Sequence, residues 1–446
     1  MPSDPDPPRL RSIFTQWLPL AATWLMMGAE GPFLAAVIAR MAEPKINLAA
    51  YGVAFSFALI IEAPIIMMMS AATALVKDDA SYTRLRNFSY ALNGVITAGM
   101  LFFLIPTVFF HVTRSIIGLP EDVAVLTHHA TISLLPWPAA IGFRRFWHGI
   151  LINQRLTRRI AYGTMIRMTS IASVALLLAG FTGLNGAVIG AISLSAAVIA
   201  EAVVSRSMTA ASIRRVRKAA PVIDASSATY RAIARFYFPL ALTSLLALGV
   251  QPMITFFIGR SRFPIESLAI LPVINSLVFI FRSSGLSFQE VAIANMGASG
   301  EGHRKLRSFA LILGSAATGA LALISFTPLA DFWLATVSGL SEELVELSSL
   351  PLMIQTALPA ASVLLAFQHA VLVNYRKTTP ITWGTMIEVA GIITTLAASI
   401  YFFDAVGAIA ASIALLAGRF FANVFLARPI RRVRTLLAER RVAPDP

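Results

Sequence analysis

The sequence contains no cysteine among its 446 residues, which excludes disulfides, cysteine-based zinc sites and cysteine nucleophiles. Charge is also scarce: 13% of the residues are Asp, Glu, Lys or Arg, against about 25% in soluble domains. There is no HExxH and no GxSxG, His128-His129 is followed by no metal-ligand pattern, and no Gly-rich loop ends in Lys-Ser/Thr. A soluble enzyme, a metal centre and a nucleotide-driven machine are therefore not expected. No catalytic residue and no cofactor is assigned, and energy for any work must come from an ion gradient or from downhill flow.

Long apolar runs are abundant. Hydrophobic residues make up 57% of the chain and the mean hydropathy is +0.75. A soluble core cannot hide that excess, whereas a bilayer-spanning helix needs ~20 mostly apolar residues. About twelve such runs are expected, near 13–39, 47–76, 87–112, 124–152, 160–181, 184–205, 236–259, 267–296, 308–329, 347–374, 380–402 and 405–427. Continuous runs rather than short alternating segments select helices over a membrane barrel. The expected class is an all-α polytopic membrane protein. The opening MPSDPDPPRLR lacks the pattern of a cleavable signal, so the first run is read as a retained span.

The formal charge of +14 is distributed unevenly. One side of the expected spans collects Arg9, Arg11, Lys77, Arg84, Arg86, Arg155, Arg158, Arg159, the stretch from Arg206 to Lys218, Arg231, Arg235, Arg304 to Arg307, Arg376, Lys377 and the tail from Arg428 to Arg441. The other has Arg40, Lys45, Arg114, Arg260 and Arg262. This positive-inside bias places both termini in the cytoplasm, in what is read as a bacterial inner membrane, and gives the basic excess an orienting role rather than a nucleic-acid one.

The chain repeats itself. Residues 148–168, HGILINQRLTRRIAYGTMIRM, align without gaps on 369–389, HAVLVNYRKTTPITWGTMIEV, with ten of 21 positions identical at an offset of 221. Near the start of each half, Pro19-Leu20-Ala21, Thr23, Pro32, Arg40 and Pro44 answer Pro239-Leu240-Ala241, Thr243, Pro252, Arg260 and Pro264 at an offset of 220. A fixed offset is the mark of an internal duplication. The expected organisation is a six-helix lobe over 1–206, a cytoplasmic linker over 207–230, a second six-helix lobe over 231–428 and a basic tail over 429–446. An even number of spans per half makes the halves parallel repeats around a central cavity.

The segments AAYGVAFS at 49–56 followed by Pro64, WHGILIN at 147–153, and FPLALTSLLALGVQPMITFFIGR at 238–260 carry a family likeness over essentially the whole chain. The sequence resembles the multidrug/oligosaccharidyl-lipid/polysaccharide (MOP) exporter superfamily, which includes the MATE transporters, and most closely its progressive-ankylosis-protein branch. That resemblance implies secondary transport by alternating access, with organic or phosphate-bearing anions of the pyrophosphate, nucleotide or citrate class as substrates. It also implies an acidic residue in the first helix, here Glu30. Twelve spans rather than fourteen count against the lipid-flipping relatives.

Ionised side chains at membrane depth cost ~2.5–3.5 kcal/mol on insertion scales, so each is expected to meet a partner or a wet cavity. The repeat carries Glu62 onto Arg282 at offset 220 and Arg167 onto Glu388 at offset 221, opposite charges at equivalent sites. Glu62 and Arg282 read as a gate or substrate contact, or else as a permanent inter-lobe pair. Arg167 and Glu388 read as an ion pair that snorkels toward the cytoplasm, and Glu201 and Arg419 as snorkelling residues near helix ends. Arg144 and Arg145, behind the Pro136-Trp137-Pro138 break, suit an anion, and Gln251 beside Pro252 joins them as a candidate substrate contact. Glu30, among Gly28, Gly31 and Pro32, suits a coupling proton or sodium ion, as does Glu62. His148 and His369, paired by the repeat, read first as packing residues and second as proton relays. The expected partners are a small anionic solute and the lipid bilayer, with the chain acting as a monomer. The rivals are a multidrug cation antiporter dominated by Glu30 and Glu62, and a non-transporting membrane enzyme or scaffold.

Overall fold

A computed structural model describes residues 10–154, 156, 158–219, 229–297, 301–375, 377 and 379–442. Arg9, Arg155, Arg376, linker residues 220–228 and tail residues 443–446 lie outside the described residues. Everything described is helix and connecting turn, with no β-strand.

The first half comprises α1 (Leu10–Gly28), α2 (Glu30–Ala39), α3 (Pro44–Glu62), α4 (Met68–Leu75), α5 (Asp79–Phe103), α6 (Pro106–Phe110), α7 (Glu121–Ser133), α8 (Trp137–Asn153), α9 (Arg158–Phe181) and α10 (Gly186–Lys218). The second comprises α11 (Tyr230–Leu248), α12 (Val250–Ile258), α13 (Pro264–Asn295), α14 (His303–Ser325), α15 (Leu329–Asp331), α16 (Glu342–Gln355), α17 (Leu358–Asn374), α18 (Thr379–Tyr401) and α19 (Gly407–Val442). Among the described residues, ten helices are long and apolar enough to cross a bilayer, and eleven if the pair Asp79–Phe103 and Pro106–Ile117, bent by 71°, counts as one span. This agrees with the expected number of about twelve. The remaining run, 124–152, is divided into α7 and α8, because Pro136 and Pro138 remove backbone donors and force a break there. The helix expected to end at 205 continues to Lys218, so the first part of the expected linker is helical.

The duplication is written in the backbone as well as in the residues. The first helix of each half breaks at an equivalent point, Ala29 and Gly249, just before Pro32 and Pro252. Left-handed residues precede α3 and α13, Glu43 at φ 49° and Phe263 at φ 50°. A π-helical turn over His111–Ile117 has its counterpart at Phe332–Val337, and each is followed by a glycine of positive φ, Gly118 and Gly339. Asn153 donates to Thr73 O (2.9 Å) and Val76 O (3.2 Å), and its counterpart Asn374 donates to Gly297 O (2.9 Å). Val76 and Gly297 are themselves 221 residues apart.

The described helices form two compact units, one of residues up to Pro32 together with Val273 onward, the other Phe33–Pro272. Compactness thus assigns the first helix of each half to the unit built mainly from the other half. Small residues let backbones approach, the main device for packing helices in lipid. In the Phe33–Pro272 unit, α10 buries Gly186, Ala187, Gly190, Ala191 and Ser193; a Cβ at Gly190 would lie 2.8 Å from Ile38. A Cβ at Gly259 would lie 2.5 Å from Ile117 O, and Tyr237 donates its hydroxyl to Pro64 O at 2.6 Å, fixing α11 and α12 against the first half. In the other unit, Trp17 donates to Ser287 Oγ (2.9 Å) and packs on Phe309, beside a core of Ile13, Phe288, Leu313, Phe367 and Val371.

Candidate functional site

Each unit carries its own buried charge cluster. In the Phe33–Pro272 unit the hub is Glu201, fully buried at the middle of α10. Its Oε2 receives Arg144 Nη1 of α8 at 2.8 Å and stands 3.8 Å from Arg167 Nη1 of α9; its Oε1 lies 3.8 Å from His148 Nε2. His148 Nε2 is also 3.0 Å from Ser205 Oγ, one turn along α10. Glu201, Ser205, Thr209 and Ser212 form a fully buried polar stripe at i, i+4 and i, i+3 spacing. Two guanidiniums offset the charge of this buried carboxylate, while its Oε1 receives no hydrogen bond among the described residues.

Glu62 ends α3 immediately before the Pro64 break, 3% exposed and within electrostatic range of Arg145, Arg144 and Arg167. Its Oε2 accepts no hydrogen bond among the described residues. Arg145, the neighbour of Arg144 on α8, has a Met69 sulfur at 3.9 Å and no carboxylate within 4 Å among the described residues. Three guanidiniums therefore face two carboxylates, and Arg145 is the one without an ion pair. Gln251 is partly buried on α12, its carbonyl receiving the Thr255 hydroxyl at 3.1 Å; Thr255 reaches Ser56 of α3 at 3.3 Å. At the start of α3 and α13, Lys45 and Glu266 form a 2.5 Å ion pair.

In the other unit, Glu388 of α18 pairs with Arg419 of α19 at 2.9 Å. Arg282 of α13 donates its Nε to Ser362 Oγ at 3.3 Å and interacts electrostatically with Arg419 and Glu388, with no carboxylate within 4 Å among the described residues. His369 of α17 lies within electrostatic range of Arg419. Glu30 opens α2 and is buried; Gly28 and Gly31 beside it meet Ile280 and Ser276 of α13 closely, a Cβ at Gly31 falling 2.8 Å from Ser276 Cβ.

Several sequence expectations change in detail. Arg144 is engaged by Glu201, while its neighbour Arg145 is not. Arg167 is bound to Glu201 in its own unit and Glu388 to Arg419 in the other. Glu62 and Arg282 fall in different units, each with the neighbours just given. Glu201 and Arg419, read as snorkelling residues, are instead the partners that hold the two clusters. The i, i+4 ladder of Glu201, Ser205 and Thr209 was the available signal.

No family model matches the sequence, and no curated protein matches it. Solved structures do. An inward-facing multidrug resistance MATE family transporter of the MOP superfamily is 13% identical, over 95% of this chain and 99% of that one, at a TM-score of 0.75. The lipid II flippase MurJ in an inward closed conformation is 13% identical over 93% and 87%, at 0.71. A MOP superfamily transporter from Pyrococcus furiosus is 16% identical over 95% and 96%, at 0.62. The chain thus has the all-helical fold of these membrane transporter and flippase structures.

Proposed function

We propose that the chain is a secondary transporter working by alternating access, and that its substrates are organic or phosphate-bearing anions of the pyrophosphate, nucleotide or citrate class. The observation that carries this reading is the pair of arginines, Arg145 and Arg282, one in each unit. Both lie at membrane depth with no carboxylate within 4 Å among the described residues, while the other three intramembrane arginines are ion-paired. A guanidinium at membrane depth demands an anionic partner, and its planar fork matches carboxylate and phosphate oxygens. Glu62 beside Arg145, and Glu30, are the proposed sites for a coupling proton or sodium ion. The repeat halves, 1–206 and 231–428, are the proposed lobes, the connection at 207–230 and the basic tail from 429 lying in the cytoplasm with both termini. The multidrug-cation reading draws on Glu62, whose Oε2 accepts no hydrogen bond among the described residues.

Proteoliposome transport decides between them. With imposed proton and sodium gradients, labelled anions should move and cationic dyes should not, and Arg145→Gln and Arg282→Gln should each reduce anion flux. Dye transport that persists in both variants, with no anion flux in the parent, would establish the cation reading. For orientation, a cysteine at exposed Asn185 should react with an impermeant reagent from outside and one at exposed Lys377 should not. The reverse pattern inverts the topology.

A further inference from the structure

The unit containing Val273 onward holds a cavity of ≈ 980 Å³ between α14, α17 and α19, separate from the charge clusters. Leu364, Phe420, Phe421 and Val424 on its wall are exposed, so within a bilayer this wall meets acyl chains. His303, Arg307 and Arg431 stand where α14 begins and α19 leaves the apolar run, at one end of the cavity.

The repeat explains why the cavity exists here. At offset 221, Gln368 replaces Trp147 and Ala427 replaces Arg206. In the first half, Trp147 is buried and Arg206 covers its ring at 5.0 Å, filling the space. In the second half the bulk is gone and polar atoms remain. Gln368 donates to Asn423 O (3.0 Å), and Asn423 donates to Ala361 O (3.0 Å) and Arg419 O (2.9 Å). Those bonds fix both amides with their carbonyl oxygens, Gln368 Oε1 and Asn423 Oδ1, buried and receiving no hydrogen bond among the described residues. Buried acceptors of this kind are costly unless a donor reaches them. The His303 ring packs on Phe367, the residue before Gln368, at 5.3 Å, so the basic end and the amide acceptors share a depth.

We propose that this groove seats an anionic phospholipid whose headgroup also carries hydroxyl donors. The phosphate lies among His303, Arg307 and Arg431, a headgroup hydroxyl donates to the Gln368 and Asn423 carbonyl oxygens, and an acyl chain follows the Leu364 and Phe420 wall. Basic residues between membrane helices recognise headgroups through the same charge complementarity. The site stands apart from the transport reading, since lipid retention is measured without any solute flux.

Native mass spectrometry of the purified full chain tests it, with phosphatidylglycerol, phosphatidylmethanol (the same charge without hydroxyls) and phosphatidylcholine as probes. Phosphatidylglycerol should be retained about ten-fold better than phosphatidylcholine, a difference of ~1.4 kcal/mol, with phosphatidylmethanol between them. Gln368→Trp, which restores the residue of the other half, should cut phosphatidylglycerol retention about as much. Ala427→Arg is the second plug, read if Gln368→Trp does not yield monodisperse protein. Arg307→Gln with Arg431→Gln should abolish the preference over phosphatidylcholine. Equal retention of phosphatidylglycerol and phosphatidylcholine by the parent, or undiminished retention in a folded plug variant, would overturn the site. Equal retention of phosphatidylglycerol and phosphatidylmethanol would overturn the role given to the amides.

Discussion

The two halves of the repeat tie their fifth and sixth long helices together with the same kind of bridge in opposite charge. In the first, an arginine on α9 faces a glutamate on α10, Arg167 with Glu201 at 3.8 Å; in the second, a glutamate on α18 faces an arginine on α19, Glu388 with Arg419 at 2.9 Å. Only the residue on α9 and α18 is repeat-equivalent; Glu201 answers Ala422, and Arg419 answers Val198. The duplicated scaffold thus kept a demand for one bridge between these helices and met it from different turns. What differs is the load. Glu201 serves two guanidiniums and faces a histidine while fully buried; Glu388 serves one and keeps some exposure.

That contrast can be broken most severely at its hub. Glu201→Gln strands Arg144 and Arg167 together, and loss of one partner of a buried pair costs ~3–5 kcal/mol. Thermal unfolding in detergent should show a large loss for Glu201→Gln and a smaller one for Glu388→Gln. Exchanging Glu388→Arg with Arg419→Glu, which copies the polarity of the first half, should recover most of the loss that either change causes alone. An equal effect of the two glutamate variants would remove the distinction between the clusters.

A middle-sized effect separates structure from transport. Arg145 carries a desolvation cost with no carboxylate within 4 Å among the described residues to form an ion pair, so Arg145→Gln should leave stability unchanged or raise it. Anion flux should nevertheless fall by about ten-fold or more, since each ~1.4 kcal/mol of lost substrate interaction is a factor of ten. Arg144→Gln should show the opposite balance, a stability loss before any specific effect on flux.

The smallest effect tests the backbone repeat. Asn153→Ala removes two amide-to-carbonyl bonds and Asn374→Ala one, and a net hydrogen bond is worth about 1 kcal/mol. Both variants should be mildly destabilised, Asn153→Ala the more, as read by unfolding midpoints.

Much of the fold was legible because its signals are local. Apolar runs locate the spans, Pro136 and Pro138 locate a break, and the constant offset reveals the duplication. The π-turns at 111–117 and 332–337 were not legible, since nothing in their composition separates them from ordinary helix. Of the buried charges, Glu62, Arg144, Arg145, Arg167, Arg282 and Glu388 are legible from the sequence as intramembrane side chains, whereas Glu201 and Arg419 read as helix-end residues. The reason is physical. A span of about 20 residues was assumed from bilayer thickness, whereas α10 runs from Gly186 to Lys218 and α19 from Gly407 to Val442, so residues that seemed terminal sit well inside. Partners on different helices were also beyond reach, because the offset relates the halves to each other and not the helices within a half.

The most direct test of the central claim, that Arg145 contacts the transported anion, is ligand-dependent thermal stabilisation of the purified chain. A ligand that binds only the folded state stabilises it by RT ln(1 + [L]/Kd). Titrating pyrophosphate, a nucleotide and citrate, with a cationic dye as control, should raise the unfolding midpoint of the parent with at least one anion and not with the dye. Arg145→Gln should fold at least as stably and lose that rise. An anion-induced rise undiminished in Arg145→Gln, or a rise with the cationic dye alone, would contradict the account.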